Sequence, residues 1–491
     1  MDCRSPSVTD SRIHGRLPST ATATATATVT AAAPAAAPAP RPSGVRLARR
    51  WLLRSLLALP LLLAAGCGPT PPPQAGTERP RQLTVWTLDL APRFAPYMGR
   101  VIDAWEQRHP GVTVRWVDVP WSSVERKLLA AVFARTPPDL VNLNPPFAAN
   151  LASKGGLLDL DTVLPADAAA AYLPTAWQAG RQGGRQFAIP WYLTSRVTLA
   201  NRRLLAQAGY AAPPRRWEEV PAYAEAIRRR TGRYALFVTV VPDDSAELLE
   251  SMVQMGVELL DRRQRAAFNT PAGRRAFAFW SDLYRRGLLP REVVSQGYRR
   301  AIELYQAGDL AQVASGPDFL RNLQTNAPGI AAQTAPFPPL TGPSGQTNVA
   351  VMNLVVPSRS PMAAEAASFA LFLTNGAQQL AFAREARVLP SARSALDQLG
   401  RELAVPPPAG GGTELERSQA SQERLVRQAR ALAAANLESA RVLVPATPGV
   451  KRLQAILYTQ LQRAMLGQIS SDAALEEAAR QWDRYAAARW P

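Results

Sequence analysis

The sequence predicts an α/β fold divided into two lobes, and three observations carry that reading. A chain of 491 residues exceeds what one hydrophobic core supports. Short apolar strand patterns alternate with helical ones, as parallel sheets require. That series starts at Gln82 and starts afresh after Pro190. Hydrophobic residues at 47% and charged residues at 19% suit a globular chain.

Ahead of the fold, residues 20–43 alternate Thr with Ala and then Ala with Pro, a low-complexity run with nothing to pack. Arg46, Arg49 and Arg50 then precede an apolar stretch that starts at Trp51 and ends in Ala64-Ala65-Gly66-Cys67. A basic region, a short apolar run and small residues make a secretory signal peptide, too short to span a bilayer. Cys67 makes it similar to a bacterial lipoprotein signal, in which that cysteine becomes the lipidated first residue. The favoured Leu sits one place early, at Leu63. An ordinary cleaved signal or an uncleaved anchor is the alternative. A signal normally starts its chain, so residues 1–44 are expected to precede a mis-called start, with Val45 as alternative initiator. Residues 45–66 are then the signal peptide and 67–81 a lipidated, proline-rich tether.

In the folded part, Leu83-Thr84-Val85-Trp86 is a strand. Met98, Val101, Ile102 and Trp105 form a helical stripe stopped by Pro110-Gly111. Val112–Val119 is a strand, Val124–Phe133 a helix and 139–143 a third strand. In the second series 217–230 is helical, 234–241 a strand and 270–287 a helix. Thr270 caps that helix, Pro271 suits its first turn and Gly287 ends it. A strand at 349–357 is followed by a capped helix from Ser360, and the last hundred residues are mainly helical.

The formal charge is +18, but only Lys127, Lys154 and Lys451 are lysines, and the arginines are scattered among glutamates. No nucleic-acid motif accompanies the charge, so nucleic acid is not an expected partner. Only two cysteines occur, Cys3 and Cys67, both upstream of the fold. That leaves no disulfide framework, zinc cluster or thiol nucleophile. No metal or cofactor is expected.

Ordered blocks along residues 82–485 resemble the family 1 extracellular solute-binding proteins, the maltose-binding type. Trp105-Glu106-Gln107-Arg108-His109-Pro110-Gly111-Val112 is similar to that family's F-E-x-x-H/N-P-x-I/V helix end. Thr136-Pro137-Pro138-Asp139-Leu140-Val141, Gly155-Gly156-Leu157-Leu158-Asp159-Leu160-Asp161 and residues 187–201 follow in the family's order. Ala212-Pro213-Pro214-Arg215-Arg216-Trp217-Glu218-Glu219 departs only in Arg216, where Thr is usual. Blocks at 268–290, 305–318 and 467–477 complete the series. The resemblance implies a two-lobe periplasmic-binding-protein (type II) fold with flexible hinge crossings. It implies one lobe of residues 82–189 plus 331–357 and another of 190–330 plus 358–491. It also implies hinge closure on a small polar ligand, a sugar or compatible solute, delivered by a monomer to the permease subunits of an ABC importer on the extracytoplasmic face.

A sugar needs aromatic platforms for its CH faces and polar groups for its hydroxyls. Loops at the carboxyl ends of strands are where to look. They offer Trp86 and Asp89, Trp121, Asn142 and Asn144, then Trp191, Tyr192 and Thr194 on the first crossing. The second series adds Asp243, Asp244, Asp318 and Phe319, and Asn353 interrupts an apolar strand. The family often carries a carboxylate near Thr194 and an aromatic at Asp318. With eleven tryptophans in the chain, Trp86, Trp121 and Trp191 are either platforms or packing residues. Asp243 and Asp244 either bind hydroxyls or cap a helix. Trp217, Trp280 and His109 read as structural.

An exported carbohydrate-active enzyme is the rival class, since two carboxylates opposed across a glycosidic bond leave no local signature. No G-x-S-x-G elbow, H-E-x-x-H or usable histidine base is present, so no catalytic residue is assigned. A ligand-sensing lipoprotein without a transporter would have the same fold.

Overall fold

Alternation of strand and helix produces a parallel edge on which the rest of the first lobe is built. The computed structural model describes residues 81–242, 244–405, 412–444 and 446–489. The signal segment, Cys67 with its tether, and Asp243 lie outside the described residues. Strand β1 (Arg81–Leu88) seals Leu83 and Val85 into the core. It pairs in parallel with β2 (Val112–Val119), from Arg81 opposite Val112 to Leu88 opposite Val119, and with β3 (Leu140–Leu143). Helix Ala95–Glu106 links β1 to β2 and buries Tyr97, Met98, Val101 and Trp105 at helical spacing. Helix Val124–Phe133 links β2 to β3 and buries only Val124 and Leu128.

A small ribbon, β4 (Arg181–Gln182) with β5 (Arg185–Gln186), precedes β6 (Ile189–Ser195). Next come β7 (Val197–Asn201), β8 (Gln312–Ser315), β9 (Thr334–Phe337), β10 (Thr347–Val355), β11 (Leu389–Pro390) and β12 (Ala440–Arg441). The larger sheet runs β11-β6-β10-β3-β1-β2, with β12 joined to β10, and β7 lies between β8 and β9 in the smaller one. The larger sheet is covered on one face by a core containing Trp105, Trp191, Phe369 and Phe382, and on the other by one containing Val119, Val141 and Phe147. The smaller sheet belongs to a separate, larger core with Leu199, Tyr223, Phe237, Trp280, Tyr458 and Trp482. This is the two-lobe arrangement of the type II periplasmic-binding proteins.

Packing places two segments differently from the sequence reading. Helices Ala363–Leu373 and Gly376–Ala386, expected with the second lobe, bury Phe369, Leu373 and Phe382 in the first core. The apolar first helix covers sheet surface that would otherwise face water. Strand β9, expected with the first lobe, pairs with β7 from Thr334 opposite Asn201 to Phe337 opposite Thr198. The chain therefore crosses between lobes at 195–197, between β9 and β10, and at 387–392. The 234–241 segment is largely buried but bonds the chain entering β8 only at its first two residues, through the amide and carbonyl of Tyr234 and the carbonyl of Ala235. It then turns to Val293 and Gln296, so no regular strand forms.

Helix Pro271–Arg285 begins with Thr270 Oγ1 accepting from the Gly273 amide at 3.3 Å and stops before Gly287, at φ 69°. Residues 77–491 pack as a unit of their own. Among the described residues, no helix is long and apolar enough to cross a membrane.

Candidate functional site

The facing walls of the two lobes are built from loops held by carboxylates and carbonyls. On the first wall, Asp118 accepts from Thr87 Oγ1 at 2.7 Å and from the amides of Leu90 and Ala91 at 3.1 and 2.9 Å. Asp89, in the left-handed region at φ 50°, accepts from the Trp121 amide at 2.8 Å. These bonds tie together the loops that carry Arg93 and Trp121, whose residue is 41% exposed. On the second wall, the Ser245 carbonyl accepts from Tyr458 Oη at 2.6 Å and Gln454 Nε2 at 3.0 Å. Asp244 accepts from the Tyr298 amide at 2.6 Å. Its carboxylate lies so close over Gly297 that a Cβ there would come within 2.2 Å of Oδ1.

Two ion pairs reach from wall to wall. Arg93 approaches Asp318 at 3.7 Å, and Lys451 pairs with Glu125. They frame the cleft between the lobes.

The hinge has its own polar network. Glu250, 8% exposed, accepts from Arg196 Nη1 on the first crossing and from Asn348 Nδ2 at the start of β10, where the second ends, both at 2.8 Å. Asn348 Oδ1 in turn accepts from the Leu443 amide beside β12 at 3.1 Å. A cavity of about 60 Å³ opens beside Arg196, Glu247, Glu250, Gln312 and Asn348, room for a few waters. Burial pushes the Glu247 carboxyl up to about 7, with Arg196 opposing and Glu250 reinforcing the shift. Glu250 holds Arg196 firmly protonated. On the third crossing, Ser391 Oγ donates to the Pro190 carbonyl at 2.7 Å, and its amide donates to Gln379 Oε1.

Several residues read as site candidates are placed elsewhere. Trp191 is fully buried, stacked on Phe382 at 5.0 Å, and Tyr192 joins the same cluster, so both pack the first lobe rather than lining the cleft. Asn142 and Asn353 are sealed: Asn142 Nδ2 donates to the Asn353 carbonyl at 3.0 Å, at a register shift in β10. Asn144 caps the next helix by accepting from the Phe147 amide at 2.9 Å. Trp86 is half-buried against the second face of the first-lobe sheet, and Phe319 packs partly on the second-lobe core. Asp89, Trp121, Thr194, Asp244 and Asp318 remain exposed, Thr194 opposite Ala350 where the strands cross. Sequence reasoning missed Arg93, Glu125 and Lys451, and the hinge trio Arg196, Glu250 and Asn348. Only Arg93, in the loop after β1, had a positional signal.

A second interlobe groove, of about 960 Å³, lies between residues 174–182 and the 441–448 strap. Thr175, Gln178, Arg181, Gln182, Arg441 and Thr447 line it, with no aromatic ring. It lacks the stacking platform a sugar ring favours.

A family model described as "Bacterial extracellular solute-binding protein" matches residues 89–380. A protein from Synechococcus sp. MITs9220, named as a candidate oligosaccharide periplasmic-binding protein, is 66% identical. Its crystal structure superposes with a TM-score of 0.78 over 83% of this chain and 100% of that one. The cyclic alpha-maltosyl-1,6-maltose binding protein of Arthrobacter globiformis is similar at 22% identity and TM-score 0.65, covering 83% and 99% of the two chains. An ABC transporter solute binding protein from Thermotoga lettingae TMO, bound with alpha-D-tagatose, is similar at 19% and 0.63, covering 83% and 100%.

Proposed function

We propose a transport role from one premise: the chain belongs to the bacterial extracellular solute-binding protein family. In this reading it is the substrate-binding lipoprotein of an ABC importer. It captures a mono-, di- or oligosaccharide, or a related polyol glycoside, between its lobes and presents the closed form to the permease. The signal ending in Cys67 supports export and a lipid anchor on the extracytoplasmic face. The first lobe then comprises residues 81–195 and 347–386, and the second 197–346 and 393–489.

The observation that carries the reading is the framed cleft. Two preformed walls, each braced by buried or bonded polar groups, face one another across three crossings and touch through Arg93–Asp318 and Glu125–Lys451. Trp121 supplies an exposed ring for a sugar face, and Asp89, Thr194, Asp244 and Asp318 supply hydroxyl partners. A ligand that joins both walls stabilises closure by its differential affinity for the closed state. The test is a thermal-shift screen of residues 77–491 against neutral saccharides and glycosylated polyols. A hit raises the melting temperature in a concentration-dependent way. Turnover of a glycoside, abolished by one Asp or Glu substitution, would reassign the chain to the enzymes.

A further inference from the structure

Among the described residues, six large apolar side chains are markedly exposed, and four of them fall within residues 121–133. Beyond Trp121 these are Leu129 at 42%, Val132 at 41% and Phe133 at 85% exposed, all on helix Val124–Phe133. Spacings of three and four residues put them on one helix face. That helix buries only Val124 and Leu128, so most of its surface is left to solvent. Beside the apolar strip, Arg126, three residues before Leu129, and Arg135, just past the helix, are exposed and join no ion pair among the described residues. The nearby acid, Glu125, is neutralised by Lys451.

The position of this face in the fold decides what it meets. Strands β1, β2 and β3 are parallel, so the helix between β2 and β3 runs back against them. Its last turn, with Val132 and Phe133, therefore lies at the edge of the sheet where β1 begins at Arg81. Thirteen residues lie between Cys67 and Arg81. Fully extended they reach about 50 Å, and as a flexible coil about half of that.

We propose that the exposed face of helix Val124–Phe133 docks on an anionic phospholipid bilayer. It inserts Phe133, Val132 and Leu129 at the headgroup boundary, and Arg126 and Arg135 meet the lipid phosphates. Apolar side chains flanked by unpaired cations are what an interfacial helix presents to a membrane. The proposal rests on the membrane-tethered reading of Cys67 for its geometry alone. Its test uses the unlipidated chain, so a failed anchor and a failed docking face give separate results.

Residues 77–491 would be sedimented with vesicles of phosphatidylcholine and phosphatidylglycerol at three to one, and with phosphatidylcholine alone. Binding is expected on the anionic vesicles, weakening by about fivefold for each charge removed in Arg126→Gln and Arg135→Gln, and at high salt. Leu129→Ser with Phe133→Ser is expected to abolish it with an unchanged melting temperature, since neither side chain belongs to a core. No cysteine occurs after Cys67, so Phe133→Cys takes one environment-sensitive dye, whose emission should shift to the blue on anionic vesicles alone. Absence of vesicle binding overturns the proposal, as does binding indifferent to both sets of variants. Membrane capture that needs this face only when permease subunits are present also overturns it and gives the face to a protein partner.

Discussion

Replacing Glu250 with Ala tests whether one carboxylate holds the hinge together. Glu250 is the shared acceptor for Arg196, on the first crossing, and Asn348, where the second enters β10. Removing one partner of a fully buried ion pair costs about 3–5 kcal/mol. The Arg196 side chain is 37% exposed and regains water when freed, which lowers the ionic part to about 1–2 kcal/mol. The lost bond to Asn348 adds about 1 kcal/mol. Glu250→Ala should therefore lower unfolding free energy by about 2–3 kcal/mol, and Asn348→Ala by about 1 kcal/mol. The double variant should fall short of their sum, because they share one bond. Urea midpoints give the stabilities. Stopped-flow binding of whichever saccharide the screen returns reports the hinge, through a changed closing rate in Glu250→Ala. A Glu250→Ala variant within about 0.5 kcal/mol of the parent, with unaltered kinetics, would refute the reasoning.

The titration of Glu247 has a definite sign. The folded chain binds its proton more tightly than the unfolded chain between about 4.5 and about 7, so this group's contribution to stability falls as pH rises through that window. Glu247→Gln should flatten the dependence in urea melts taken across it. Trp191→Ala should destabilise by about 3–5 kcal/mol, as core tryptophans do, whereas Trp121→Ala should leave stability nearly unchanged. Trp121→Ala should instead weaken saccharide binding by about 1–3 kcal/mol, measured by calorimetry. Cys67→Ser should move the mature protein from the membrane to the soluble fraction, and unchanged partition would remove the lipid anchor from the account.

What was legible in the sequence was local or periodic. The β1–helix–β2 unit, the capped helix after Thr270 and the Gly287 stop each have their signal within a few residues. Asn144 before Pro145-Pro146 also carries the signature of a helix cap, and that is the role it takes. Between platform and packing residue the sequence leaves Trp191 open, because its environment is supplied by Phe382, nearly two hundred residues later, on a helix whose lobe only tertiary packing decides. The pairing of Arg196 with Glu250 across 54 residues leaves no pattern at any helical or strand period. The lobe bounds implied by the resemblance put residues 331–346 with the first sheet, and only the long-range pairing of β9 with β7 shows that this segment joins the second.

The central claim is that a saccharide binds between the walls framed by Arg93–Asp318 and Glu125–Lys451. Its most direct test is calorimetric titration of residues 77–491 with the saccharide identified by screening, beside Trp121→Ala and Asp318→Ala in the cleft and Arg181→Ala in the strap groove. The account predicts one-to-one binding, weakened about fivefold or more by each cleft substitution and untouched by Arg181→Ala. Binding that is lost with Arg181→Ala and indifferent to both cleft substitutions would contradict it.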